Sequence, residues 1–125
     1  SMKHVNAKVR LGVCAKPISK SYSKGTERHG DRHLGTFCAG VADILTGVDE
    51  LHSLLKATKR MGMAYSNAWL RLRGVEESFG ITLTSRDGAR GSILTPEGRH
   101  LLTVYRQLQT EATETANKRL RELLR

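Results

Sequence analysis

Residues 65 to 79 carry the sharpest two-sided pattern of the chain. Tyr65, Ala68, Trp69, Leu72, Val75 and Phe79 recur at steps of three and four, one side of a helix with 3.6 residues per turn, while Ser66, Asn67 and Arg71 fall opposite. The pattern therefore predicts a helix over 65–78 with its aromatic side turned inward. Just upstream, Leu54, Leu55, Ala57 and Met61 can pack inward, Ser53 is placed to cap a helix start, and Gly62 stands where a left-handed residue would end it. Two short helices across a turn of about three residues form a helix-turn-helix pattern. Before them, Val41, Ile44, Leu45, Val48 and Leu51 lie on one face of a segment from Gly40 to Leu51, with Asp43, Asp49 and Glu50 outside. This predicts a supporting helix across the back of the pair, sharing a core with Trp69 and Leu72. Gly47 within it either lowers helix propensity by ~1 kcal/mol or marks close packing against another element.

The flanks follow a different period. From His4 to Val13, Val5, Ala7, Val9, Leu11 and Val13 alternate with polar residues or glycine, as in a half-buried strand. Leu34 to Phe37 can return as a second strand pairing with it. The stretch between, rich in Ser, Lys and Gly, offers almost no large apolar residue and reads as a flexible, solvated hairpin connection. Ile81, Leu83 and Ser85 alternate with Thr82, Thr84 and Arg86, then come Asp87-Gly88-Ala89-Arg90-Gly91 and Ser92-Ile93-Leu94. This is a hairpin over 81–94, its glycines permitting positive φ at the turn. Thr95-Pro96-Glu97 is a strong helix start, with Thr95 as the cap, Pro96 where a missing N–H costs nothing, and Glu97 matched to the dipole. Nothing breaks the pattern from there to Arg125. Leu101, Tyr105, Leu108, Ala112, Leu120 and Leu123 form a stripe too long for a small core, which predicts a homodimer seam along this helix; the alternative is a frayed tail beyond Gln109.

Charge adds a partner. The formal net charge is +9, and residues 1 to 36 carry eight Lys or Arg against Glu27 and Asp31, so most of the excess lies at the N-terminal end. A basic surface favours polyanions because each neutralised phosphate releases condensed counterion. Combined with a helix-turn-helix pattern, the expected partner is double-stranded DNA. The N-terminal part of such a second helix enters the major groove, so Ser66, Asn67, Leu70 and Arg71 are the candidate base-reading residues, Asn67 for adenine and Arg71 for a guanine edge or a phosphate. Arg86 and Arg90, on or beside the hairpin tip, are candidates for backbone or minor-groove contact. Lys16, Lys20, Lys24, Arg28 and Arg32 could track phosphates.

Other chemistries find less support. Cys14 and Cys38 make no disulfide framework and lack the CxxC spacing of a zinc site, so both are expected as reduced thiols. His29, Asp31, His33 and Cys38 could gather around a metal, but the simpler reading is a solvated loop, and no metal or cofactor is expected. No carboxylate pair, Ser-His-Asp set or Cys-His arrangement has a catalytic spacing, so an enzyme is not expected. No apolar run approaches the ~18–20 residues needed to cross a bilayer and no signal peptide is visible, which predicts a cytoplasmic protein without a membrane partner.

Over Leu34 to Gln109 the order of the pieces resembles the N-terminal winged-helix domain of the ModE family of molybdate-responsive regulators. The resembling residues are the helix Gly40 to Leu51, the run Ala57 to Trp69 with Met61-Gly62-Met63-Ala64-Tyr65 and Ala68-Trp69, and Leu94-Thr95-Pro96-Glu97-Gly98-Arg99. The last motif also occurs in LysR-type DNA-binding domains. Family members often place basic residues where Ser66 and Asn67 stand here. The resemblance implies a bacterial-type regulator, but its molybdate site belongs to a separate C-terminal domain, so molybdate binding is not expected.

The expected fold is thus mainly α with small β. Residues 1–36 would be a strand plus basic loop, 37–94 a winged helix-turn-helix, and 95–125 a long dimerisation helix. The expected function is sequence-specific transcriptional regulation, with helix 65–78 in the major groove and wing 81–94 on the backbone or in the minor groove. A winged-helix protein-interaction or assembly module without DNA readout is the alternative.

Overall fold

A computed structural model of the chain describes Lys8, Val9, Leu11 and residues 35–125. Short strands β1 (Lys8–Val9) and β2 (Thr36–Phe37) precede helices α1 (Ala39–Leu51), α2 (Leu54–Met61) and α3 (Tyr65–Phe79); the hairpin β3 (Thr84–Asp87) and β4 (Gly91–Leu94) then leads into α4 (Pro96–Leu123). Much of the strand expected over 4–13 and all of the basic segment 14–32, with Cys14, His29 and Asp31, lie outside the described residues, as does His33. The pairing that is described differs from a hairpin. Lys8 stands against Thr36 and Val9 against Phe37 in parallel, and parallel neighbours need a crossover rather than a tight turn.

The trihelical unit forms where the sequence pattern places it, and the caps explain its boundaries. The Ser53 side chain accepts from the Lys56 N–H at 3.1 Å, which satisfies one of the orphan donors at the start of α2. Gly62, at φ 72°, ends α2 in the left-handed region, where a residue without Cβ is unstrained. α1 lies at the centre of the packing, touching α2, α3, α4 and β4. Its Val41, Ile44, Leu45 and Val48 are fully buried.

Gly47 turns out to be a contact position. A Cβ built there would stand 2.6 Å from the Ala57 Cβ, so the missing side chain lets α1 and α2 approach. Gly47→Ala should therefore lower stability by about 1–3 kcal/mol through overpacking, despite the better helix propensity of alanine. A urea melt checks this; a variant as stable as the parent would mean that the two helices are free to separate.

α4 begins as its sequence predicts: the Thr95 hydroxyl accepts from the Gly98 N–H at 2.9 Å, and Pro96 occupies the first turn. Its first three turns belong to the domain. Leu101 and Tyr105 are 8% and 1% exposed, and the Tyr105 ring lies 4.9 Å from Phe37, which meets Phe79 edge-on at 6.4 Å. These rings join α4, β2 and α3. Leu101 and Tyr105 are thus core residues of this chain and are not available to a partner subunit, which corrects their place in the expected seam. From Thr110 onward every residue is exposed. No helix among the described residues is long and apolar enough to cross a membrane.

Candidate nucleic-acid interface

α3 presents a different face from the one its sequence pattern suggests. Ala68, Leu72, Val75 and Phe79 are buried as expected, but Tyr65 and Trp69 are 47% and 45% exposed while Asn67 is only 7% exposed. Four inward residues form a column that can be flanked on either side, and over the C-terminal half of α3 the chain around β2 covers one of these flanks. A Cβ on Gly35 would fall 2.0 Å from the Ser78 Oγ and 3.6 Å from the Gly74 carbonyl oxygen, so this segment lies directly on α3. Gly74 and Ser78 continue the line of Asn67 and Arg71 at helical spacing, and that line is the covered one. The Asn67 Nδ2 and Arg71 Nε are buried there without a hydrogen-bond partner.

The expectation that Asn67 and Arg71 form the free side of the helix is therefore corrected. Asn67 is withdrawn from the surface and Arg71 is half-buried. Ser66 and Leu70 are exposed as expected. The outward arc is completed by Tyr65 and Trp69, which the sequence pattern turns inward, and by Arg73, which it does not single out. The Arg73 guanidinium sits over the Trp69 ring, its Cζ 5.3 Å from the centroid, an attraction between a cation and the negative face of the ring. The pair stands four residues apart, the spacing at which helix side chains meet, and that was the one available signal.

Hydrogen bonds tie the hairpin to α3 on one strand and to the end of α1 on the other. The Leu83 N–H donates to the Glu76 Oε2 at 2.8 Å, and the Thr95 N–H donates to the Leu83 carbonyl at 3.0 Å. The Thr95 hydroxyl also donates to the Thr82 carbonyl. On the other strand, the Ser92 N–H donates to the His52 carbonyl at 2.9 Å. The tip lies at Gly88 to Arg90, and of its two flanking glycines only Gly91 takes positive φ, at 83°.

The two wing arginines are not equivalent. Arg90 is held by Asp87, with Nε and Nη2 at 2.8 and 2.7 Å from the Oδ2. That hydrogen bond, with the Ala89 N–H donating at 3.0 Å, holds the Asp87 carboxyl below its ordinary range. Arg90 thus offers a guanidinium already paired within its own turn. Arg86 is exposed, and no ion pair engages it among the described residues. It is the freer cation of the wing.

α4 is anchored to α1 by charge as well as by packing. Arg99 makes a two-pronged pair with Asp49, at 2.7 and 3.3 Å, which lowers the Asp49 pKa. Arg106 reaches the Thr46 hydroxyl at 3.0 Å and Asp43 at 3.4 Å. Of the remaining stripe, Leu108 is half-buried at the junction, and Ala112, Leu120 and Leu123 are exposed on the projecting half. Cys38 is a free thiol, and no group of three or more His, Cys, Asp or Glu is gathered among the described residues.

Against known proteins, residues 43–99 match the profile described as "Bacterial regulatory helix-turn-helix protein, lysR family". The crystal structure of a CbnR_DBD–DNA complex contains a chain similar to this one with a TM-score of 0.55 and 23% identity, over 69% of this chain and 97% of that one. At that identity the likeness speaks for the fold. No curated protein matches the sequence. The family that matches is lysR rather than ModE; the segment from Leu94 to Arg99 is the part that the sequence reading shared between the two, and ModE-type specificity finds no support. Residues 43–99 thus fold as a winged helix-turn-helix and match the lysR-family profile over a little under half of the chain, which supports a DNA-binding transcriptional regulator.

Proposed function

We propose that α3 lies in the major groove of double-stranded DNA with Ser66, Leu70 and the exposed Tyr65–Trp69–Arg73 arc toward the bases, while Arg86 follows the phosphate backbone beside it. The observation that carries this reading is the hydrogen bond that ties the wing to α3 through Leu83 and Glu76. It lets one docking event place a helix in a groove and a cation on the adjacent backbone. The similar structure is that of a DNA complex, which supports DNA as the partner. Asn67 and Arg90 take no direct part, the first because it is covered, the second because Asp87 already holds it.

Dimerisation belongs to the same proposal. The projecting half of α4 offers Ala112, Leu120 and Leu123 to a second copy, at the end of a 28-residue helix that spans ~42 Å. A two-fold pair would set two α3 helices on half-sites about one turn of DNA apart, ~34 Å, or a multiple of it. The cytoplasm is the compartment that fits such a regulator.

The exposed aromatic arc also suits the alternative of a protein-interaction module, and titration with duplex separates the two. In fluorescence anisotropy on a random duplex, affinity should fall steeply with salt. Arg86→Ala should weaken binding uniformly across sequences and reduce the log–log salt slope by about one. Absent or salt-independent binding would remove the DNA reading.

A further inference from the structure

Asn67, Arg71 and Arg73 are the side chains of α3 with the hydrogen-bonding geometry for adenine and guanine edges; the fold covers the first, half-covers the second, and engages the third with the Trp69 ring and, at 3.8 Å, with Glu76. What it leaves on the outward arc, beside Ser66 and Arg73, is a large apolar surface. Tyr65, Trp69 and Leu70 are 47%, 45% and 50% exposed; Tyr65 and Trp69 stand at the i,i+4 spacing of neighbours, and Leu70 lies further round the same outward arc. Arg73, stacked on Trp69, fixes the ring from the C-terminal side. The major groove offers a single apolar recognition feature, the 5-methyl group of thymine.

We propose that the Tyr65–Trp69–Leu70 face reads thymine methyl groups, so that the protein's half-site is specified by where those methyls stand in the major groove. The proposal rests on the placement of α3 in that groove and adds what the helix reads there. Ser66, one residue along the same arc, supplies a hydroxyl that accepts or donates and so tolerates either purine. Specificity comes from burial of methyl groups against the aromatic face, and Arg73 adds a cation near the flanking phosphate.

The test compares thymine with uracil, which keeps the base-pairing edge and loses only the methyl. Sites selected from a random duplex pool should carry thymines at fixed positions in each half-site. Each selected site is then synthesised with deoxyuridine in place of thymidine. Affinity should fall by about fourfold per contacted methyl, from the ~0.8 kcal/mol transfer value of such a group, and by more than about tenfold for two. In Trp69→Ala and Leu70→Ala, both at exposed positions, the thymine-to-uracil ratio should shrink toward one. In Arg86→Ala the ratio should persist while both affinities drop. Selected sites without fixed thymines, or equal and salt-dependent binding of the two duplexes, would overturn methyl reading and leave the groove placement standing. Failure to bind any duplex would overturn both.

Discussion

Tyr105→Ala is expected to lower stability by about 3–5 kcal/mol, the usual range for deleting a fully buried aromatic ring. The ring is 1% exposed, and it is the point at which α4 joins Phe37 and, through it, Phe79. Truncation removes the apolar surface and leaves a cavity among elements that cannot all close on it, because α1 and α4 are also tied through Asp49 and Arg99. A domain of this size typically has a total stability of about 5–15 kcal/mol, so a large share would be lost. Calorimetry should show a melting temperature lowered by more than about 12 °C, at roughly 4–8 °C per kcal/mol. Leu123→Ala, 64% exposed at the far end of the same helix, is the contrasting substitution. It should leave the melting of the domain nearly unchanged and weaken only the self-association proposed for this helix. Equal melting of Tyr105→Ala and its parent would mean that α4 is not part of the core.

Gly91→Val should dislodge the wing. Gly91 has φ 83°, and a Cβ there would meet the His52 carbonyl oxygen at 2.5 Å, the same oxygen that accepts from the Ser92 N–H. Left-handed strain and the clash together cost about 2–4 kcal/mol, and the cheapest relief is to lift β4 off the junction between α1 and α2. Arg86 faces Ser92 across the ladder, so it would move with the strand. Duplex affinity should then fall beyond what the loss of stability explains at temperatures where the variant is folded. Gly88→Ala provides the control, because the space around Gly88 is open. It should change stability by less than about 0.5 kcal/mol and leave binding intact. Unaltered binding by a folded Gly91→Val would show that wing position does not matter to the complex.

Most of the fold was legible from the chain because its signals are local. Ser53, Gly62 and Thr95 act on backbone groups within three residues of themselves, so their effect needs no knowledge of what packs where. The periodicities of α1 and α4 and the alternation into β3 are likewise properties of single segments. The candidate interface was less legible, for a reason visible at α3. Ala68, Leu72, Val75 and Phe79 identify an inward column but are compatible with burying either neighbouring line of side chains. Hydrophobicity favoured Tyr65 and Trp69. The covering segment at Gly35 instead packs against Gly74 and Ser78, where small residues permit close approach. Arg90 differed for a similar reason, since only the turn geometry brings the Asp87 carboxylate onto it.

By itself the sequence determined the elements, their caps and their order, because each of these is set by backbone hydrogen bonding and side-chain spacing within a few residues. Only the tertiary structure decided which side of α3 meets solvent, which wing arginine remains free, and how far along α4 the core extends. Those outcomes depend on contacts between residues distant in the chain, such as Gly35 with Ser78 and Tyr105 with Phe37, and no local pattern specifies such contacts.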